Sequence, residues 1–229
     1  MNTHYTYLLI LSASIAGPLA LSFDKKVGFY KKWKWLFPAI LIPALLYIFW
    51  DIYFTAEGVW RFNEQYIIGI KIANLPLEEV LFFLLVPYSC VFIYECVRAY
   101  FPNLKNKKSA DWFLKILSII LIVGAFVFHS RYYTCWAFSF TAVFIILIYS
   151  SGRFLRRFDA VSFLASYGII LVPFLIVNGL LTKIPVVIYN DAENMGIRIF
   201  SIPIEDIFYG MLLILLVVCI YEKISVKRT

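Results

Sequence analysis

Seven stretches of this chain, at 5–22, 35–55, 78–98, 111–129, 132–150, 160–182 and 205–222, are continuous apolar runs. A bilayer is crossed by about 20 mostly apolar residues, and each run reaches roughly that length. In lipid every backbone N–H and C=O must be paired inside the protein, so such runs fold as helices. Their hydrophobicity is continuous rather than alternating, which excludes an outer-membrane barrel. The predicted class is an all-α polytopic membrane protein with seven transmembrane helices. Of 229 residues, 62% are hydrophobic and 15% charged, where a soluble domain has about a quarter charged. The apolar runs fill the whole length and leave no segment for a separate soluble domain.

A net charge of +7 invites a nucleic-acid reading, but the basic residues sit in short clusters between apolar runs, as membrane loops do. No nucleic-acid partner is expected; membrane lipids are. The first run, Tyr5–Leu21, has no basic residue before it, and Lys25 and Lys26 follow it. A signal peptide carries its positive charge first, so this run is expected to be a spanning helix with its N-terminus outside. The cytoplasmic links then hold Lys25, Lys26, Lys31, Lys32, Lys34, Arg98, Lys105, Lys107 and Lys108. They also hold Arg153, Arg156, Arg157, Lys223, Lys227 and Arg228. The other side holds only Arg61, Lys71, Arg131, Lys183 and Arg198. The positive-inside bias predicts a multi-pass protein of the cell (inner) membrane, N-terminus extracytoplasmic and C-terminus cytoplasmic. The two long links, 56–77 and 183–204, would face outward.

Sliding the sequence by 127 positions superimposes Asp51 on Asn178, Thr55 on Thr182, Asn63 on Asn190 and Glu64 on Asp191. Gly69 falls on Gly196, Lys71 on Arg198, Pro76 on Pro203, Glu78 on Glu205 and Glu79 on Asp206. Tyr94–Glu95 falls on Tyr221–Glu222 without a gap. An internal duplication is the economical reading: residues 1–100 form a first three-helix repeat, 101–130 a linker helix 4, and 131–229 a second three-helix repeat. Three spans reverse the chain and the fourth restores its direction, so this 3+1+3 layout predicts parallel halves about a pseudo-twofold along the membrane normal.

The motifs Pro76-Leu-Glu-Glu and Pro203-Ile-Glu-Asp have a bland explanation. Proline suits a helix start, and acids in the first turn complement the helix dipole. Their recurrence at equivalent places argues for more, because ionisable groups in membrane spans are costly and mark function. Lys71 and Arg198, in Gly-Ile-Lys/Arg-Ile, are expected to supply a cation near the acids. Asp51 and Asn178, near the outer ends of helices 2 and 6, add polar groups. Adjacent helical residues point about 100° apart, so both acids of a pair cannot face one cavity equally. The position held by Glu in both halves makes Glu78 and Glu205 the expected primary pair, with Glu79 and Asp206 positioning or relaying protons.

The aromatic residues number 44 (6 Trp, 16 Tyr, 22 Phe). Most belong to packing or interfacial belts, but Trp50, Tyr53, Trp60, Phe82, Phe83, Phe208 and Tyr209 flank the acids, and aromatic faces stabilise cations. Asn63 and Asn190 could line the cavity or cap its loops. Cys90, Cys96, Cys135 and Cys219 lie inside apolar runs and read as small buried hydrophobes. His4 and His129 lack metal spacing, and no metal is expected. There is no dinucleotide fingerprint or P-loop, no lysine in helix 7 between Glu205 and Tyr221 for a retinal Schiff base, and no aspartate-rich diphosphate motif.

The arrangement Asp51…Trp60-Arg-Phe-Asn63…Gly69…Leu75-Pro-Leu-Glu-Glu79…Phe82-Phe83, echoed as Asn178…Asn190…Gly196…Ile202-Pro-Ile-Glu-Asp206, resembles the membrane-integral lycopene cyclases. In that family two three-span polypeptides work as a heterodimer or are fused into one chain. The resemblance covers essentially the whole sequence. It implies cyclisation of the ψ-ends of lycopene to β-rings, giving γ-carotene and then β-carotene, with lycopene drawn from the bilayer and no cofactor. It also admits contact with other enzymes of carotenoid synthesis. Glu78 and Glu205 would be acid and base, and Asp51 a further proton carrier or stabiliser of the cation. The second half departs in Asn178 and in lacking a tryptophan opposite Trp60. Two other classes compete: a small-solute transporter of 3+1+3 layout, disfavoured because the acids lie towards one face, and a hydratase acting on the same end group.

Overall fold

The computed structural model describes residues 3–104, 107–150 and 158–225. Among the described residues are seven helices long and apolar enough to cross a membrane: α1 Thr6–Leu21, α2 Trp33–Ala56, α3 Leu77–Tyr100, α4 Lys108–Val127, α5 Tyr132–Ser150, α6 Ala160–Lys183 and α7 Glu205–Ser225. They follow the predicted runs closely. Lys105, Arg153, Arg156, Arg157, Lys227 and Arg228, six of the residues behind the expected orientation, lie outside the described residues.

Helix ends follow local chemistry. Asp159 caps α6 by accepting from the backbone N–H of Val161 (3.1 Å) and Ser162 (3.2 Å), satisfying donors that the first turn leaves unpaired. Pro76 stands one residue outside α3 as its N-cap rather than at the expected first helical position, and Pro203 ends a strand two residues before α7.

The all-α expectation needs one correction. Both long links fold into short strands: β1 Trp60–Phe62, β2 Lys71–Ile72, β3 Leu75–Pro76, β4 Val187–Tyr189, β5 Arg198–Ile199 and β6 Ile202–Pro203. β2 with β3, and β5 with β6, make tight antiparallel hairpins. Their turns hold Ala73 (φ 55°) and Phe200 (φ 57°) in the left-handed region, where a non-glycine residue is uncommon. β1 and β4 pair across the two links, Trp60 opposite Tyr189, Arg61 opposite Ile188 and Phe62 opposite Val187. These segments have their backbone groups paired, which a link buried over a membrane bundle requires.

α3 and α7 are the most buried helices, whereas α1 and α4 leave most of their surface outside the bundle. α2 packs on α7 and α3 on α6; α1 packs on α3, and α5 on α7 and α4. The end of the bundle remote from the hairpins is tied by charge. Glu95 pairs with Lys32 and accepts from the Tyr221 hydroxyl (2.8 Å), while Arg98 pairs with Glu222. Both glutamates are buried, and breaking such a pair by removing one partner is costly.

Candidate active site

The hairpins deliver the chain to α3 and α7 in the same way. Leu77 N–H donates to the Ile70 carbonyl (2.8 Å) and Ile204 N–H to that of Ile197 (3.0 Å), fixing where each helix begins and which way its first residues face. Glu78 turns back under its own link, and its Oε1 accepts from Ile68 N–H at 2.8 Å. Glu205 does the same with Met195 N–H at 2.7 Å and also accepts from the Thr134 hydroxyl at 2.5 Å. Both side chains are fully buried, and each Oε2 has no hydrogen-bond partner among the described residues.

One residue further, a turn of about 100° points the second acid of each pair away from its link, into a cavity that Tyr7, Trp60, Tyr133 and Tyr209 help to line. Glu79 Oε2 accepts from the Tyr7 hydroxyl at 2.6 Å. Asp206 accepts from two tyrosines, Tyr133 at 2.5 Å and Tyr189 at 2.8 Å. Asp51, from α2, lines the same cavity and accepts from the Tyr209 hydroxyl at 2.7 Å. Three buried carboxyls from three helices therefore face one space, each held by tyrosine O–H donors. Burial, then the Asp206 carboxylate, pushes the Tyr189 hydroxyl well above the usual phenol range, which keeps it a donor.

Of the other residues singled out in the sequence, Trp60, Phe82, Asn178 and Tyr209 line the cavity. Phe83 lies behind it against Tyr47, with ring centroids 5.6 Å apart, and Phe208 packs on Phe138 at 5.1 Å. Asn63 and Asn190 cap their links: Asn63 Oδ1 accepts from Gln65 N–H (3.1 Å), and Asn190 Oδ1 from Ala192 N–H (3.0 Å). Asn190 also donates to the Gly58 carbonyl across the two links (3.2 Å). The two expected cations each form an ion pair within their own link. Lys71 pairs with Glu64 (2.5 Å) and Arg198 with Asp191, seven residues upstream in both links. Arg198 also donates to the Ser201 carbonyl (2.6 Å). The guanidinium holds the Asp191 carboxyl below the ordinary range. Long flexible side chains at the link surface make their direct ion pairs with an exposed acid of the same link.

The sequence model of the family described as lycopene cyclase matches residues 4–97 and 130–224. The chain belongs to the lycopene cyclase family. Relatives include the bifunctional lycopene cyclase/phytoene synthases of Phycomyces blakesleeanus (28% identical over 47% of this chain) and Phaffia rhodozyma (34% over 37%). A third is that of Aspergillus oryzae (26% over 52%). The matched stretches span 17%, 14% and 22% of those proteins, so the match covers less than a quarter of each. No solved structure matches.

Tyr7, Tyr133, Tyr189 and Thr134 are the site residues of this lycopene cyclase family member that sequence reasoning missed. Single tyrosines carry no signal in so aromatic a chain. The 127-residue offset did contain one, since Tyr7 falls on Thr134 and Phe62 on Tyr189. All four of these positions touch an acid of the motifs or line the cavity. Tyr167 of α6 completes the wall and donates to the Ile207 carbonyl.

Proposed function

We propose that the chain is a lycopene β-cyclase that closes the ψ-ends of lycopene to β-rings, giving γ-carotene and then β-carotene. The observation that carries this reading is the convergence of Glu79, Asp206 and Asp51 on one aromatic cavity. Cyclisation needs a proton on C2 of the terminal double bond, attack of the C5=C6 pair on the C1 cation, and loss of the C6 proton. The proton gained equals the proton lost, so one acid and one base suffice.

Glu79 is the proposed acid. Its Oε2 is held by Tyr7, which leaves Oε1 to carry the proton. Asp206 is the proposed base, because two O–H donors stabilise the carboxylate that must accept the C6 proton. Asp51, held by Tyr209, supplies negative charge against the cation, and the faces of Trp60 and Tyr209 add cation–π stabilisation. A water-poor wall protects the cation from trapping. Glu78 and Glu205, turned to the links, are positioning residues in this scheme and not the primary pair.

The two halves are proposed to be parallel repeats about a pseudo-twofold. Pairing of β1 with β4, which sit at equivalent positions 127 residues apart, supports this, as does the matching of the α2–α7 contact by α6–α3. The proposed setting is the cell membrane with the hairpin side extracytoplasmic. Expression in a lycopene-accumulating bacterium, with pigments separated by chromatography, tests the activity. Cyclic γ- and β-carotene are expected; unchanged lycopene overturns the reading, and a hydroxylated acyclic product would assign a hydratase.

A further inference from the structure

A second cavity runs between α3 and α6 and shares Phe82, Val86, Cys90, Ile170, Phe174 and Asn178 with the first. The two therefore adjoin, with these six side chains as their common wall. Along α3 the second cavity follows Phe82, Val86, Ser89 and Ile93, a single helical face. At a rise of 1.5 Å per residue that face is roughly 16 Å long, about half of a bilayer's hydrocarbon thickness. Its outer rim holds exposed Pro173 and half-buried Ser14 and Ser89. Both serines spend their hydroxyls on their own helices, Ser14 on the Leu11 carbonyl (2.7 Å) and Ser89 on that of Leu85 (3.2 Å). The groove thus presents apolar surface despite its polar residues.

The corresponding groove between α7 and α2, 127 residues removed, is filled. Where α6 has Phe174, α2 has Tyr47, buried, with its hydroxyl on the Tyr209 carbonyl (2.8 Å) and its ring 4.7 Å from that of Tyr209. Trp50 packs on Tyr209 at 5.1 Å, and Tyr209 closes the gap to Asp51. Acids come from both halves, but among the described residues the α3–α6 side keeps a groove where its α7–α2 counterpart is packed with aromatic rings.

Resting on the cyclase reading, we propose that the α3–α6 groove holds the acyclic polyene chain and is the route from the bilayer. Each binding event then closes one end of the molecule. A full-length carotenoid is longer than the groove, so its far end stays in lipid. The second ring requires release and return in the opposite direction.

The test uses the intact enzyme in membranes or detergent. Ser89→Trp, which fills the groove away from the acids, is expected to lower lycopene turnover at least tenfold, chiefly through KM. Ser89→Leu, a smaller intrusion, should give an intermediate loss if the tryptophan variant fails to accumulate. Leu46→Trp, at the equivalent of Pro173 on the filled side and exposed, should stay within twofold. In a second experiment, wild-type enzyme loaded with deuterated lycopene is chased with excess unlabelled lycopene, and labelled γ-carotene should be released. Unchanged turnover and KM in both Ser89 variants would overturn the groove assignment. Labelled β-carotene formed without exchange through free γ-carotene would overturn one ring per visit. Absence of any cyclic product from wild type would instead remove the cyclase reading itself.

Discussion

Which acid of each pair handles the proton can be decided with four amide substitutions. Glu79→Gln and Asp206→Asn keep side-chain size and an acceptor oxygen for Tyr7, Tyr133 and Tyr189, but they cannot give or take a proton. General acid–base catalysis contributes about 10²–10⁴-fold, which is roughly 2.7–5.5 kcal/mol of barrier at 1.36 kcal/mol per decade. Each should therefore lose at least about a hundredfold in kcat with the protein still folded. Glu78→Gln keeps an oxygen for Ile68 N–H, and weakening that one hydrogen bond costs about 1 kcal/mol. Glu205→Gln touches two donors, Met195 N–H and the Thr134 hydroxyl, so the same arithmetic gives about 2 kcal/mol. Those costs fall on stability, and turnover of the folded fraction should change by about threefold or less. The assay is pigment formation per unit of folded enzyme, alongside thermal unfolding in detergent. If Glu78→Gln and Glu205→Gln abolish cyclisation while Glu79→Gln and Asp206→Asn retain it, the geometric assignment is wrong and the first acid of each pair is catalytic.

Asp51→Asn converts the first half to the residue the second half already has at position 178, and should lower turnover about tenfold through lost charge against the cation. Tyr189→Phe leaves Asp206 one tyrosine donor; kcat should fall about tenfold, and Tyr133→Phe with Tyr189→Phe should fall further than either alone. Arg198→Ala should cost less than about 1 kcal/mol, because Asp191 is largely exposed. Asp191 is held below its unfolded value of about 3.9. Its contribution is therefore present above that pH and lost as pH falls through the folded value, so melting temperatures of wild type and variant should converge below about pH 4. Gly124→Ala would put a Cβ 2.9 Å from the Phe138 ring. Overpacking of about 1–3 kcal/mol is partly offset by helix propensity, so α4–α5 packing should weaken by about 1 kcal/mol, read as a lower melting temperature.

The seven spans were legible because lipid leaves the backbone one option over twenty apolar residues. The acids were legible because a repeated charge in such a setting is costly. Helix phase was not. Whether Glu78 or Glu79 faces inward depends on the direction in which the β2–β3 hairpin delivers Leu77, set by the bond to Ile70 and by a left-handed turn at Ala73. Neither leaves a signature that a list of residue types reveals. The direct partners of Lys71 and Arg198 were illegible for a related reason: Glu64 and Asp191 lie seven residues upstream, and only the folded link brings them into ion-pair contact.

The pairing of β1 with β4 and the packing of α2 on α7 and α3 on α6 all join one half of the chain to the other. The carboxyls likewise come from both sides of that junction: Asp51 and Glu79 precede α4, and Asp206 follows it. The segment between the family matches, residues 98–129, supplies none of the three. On the proposal of two repeats, its value is that of a tether, which replaces an encounter between two molecules by one within a molecule, at an effective concentration of the order of millimolar for a short link. A cell making few copies of this chain therefore keeps its acids assembled at a dilution where two freely diffusing halves would spend much of their time apart.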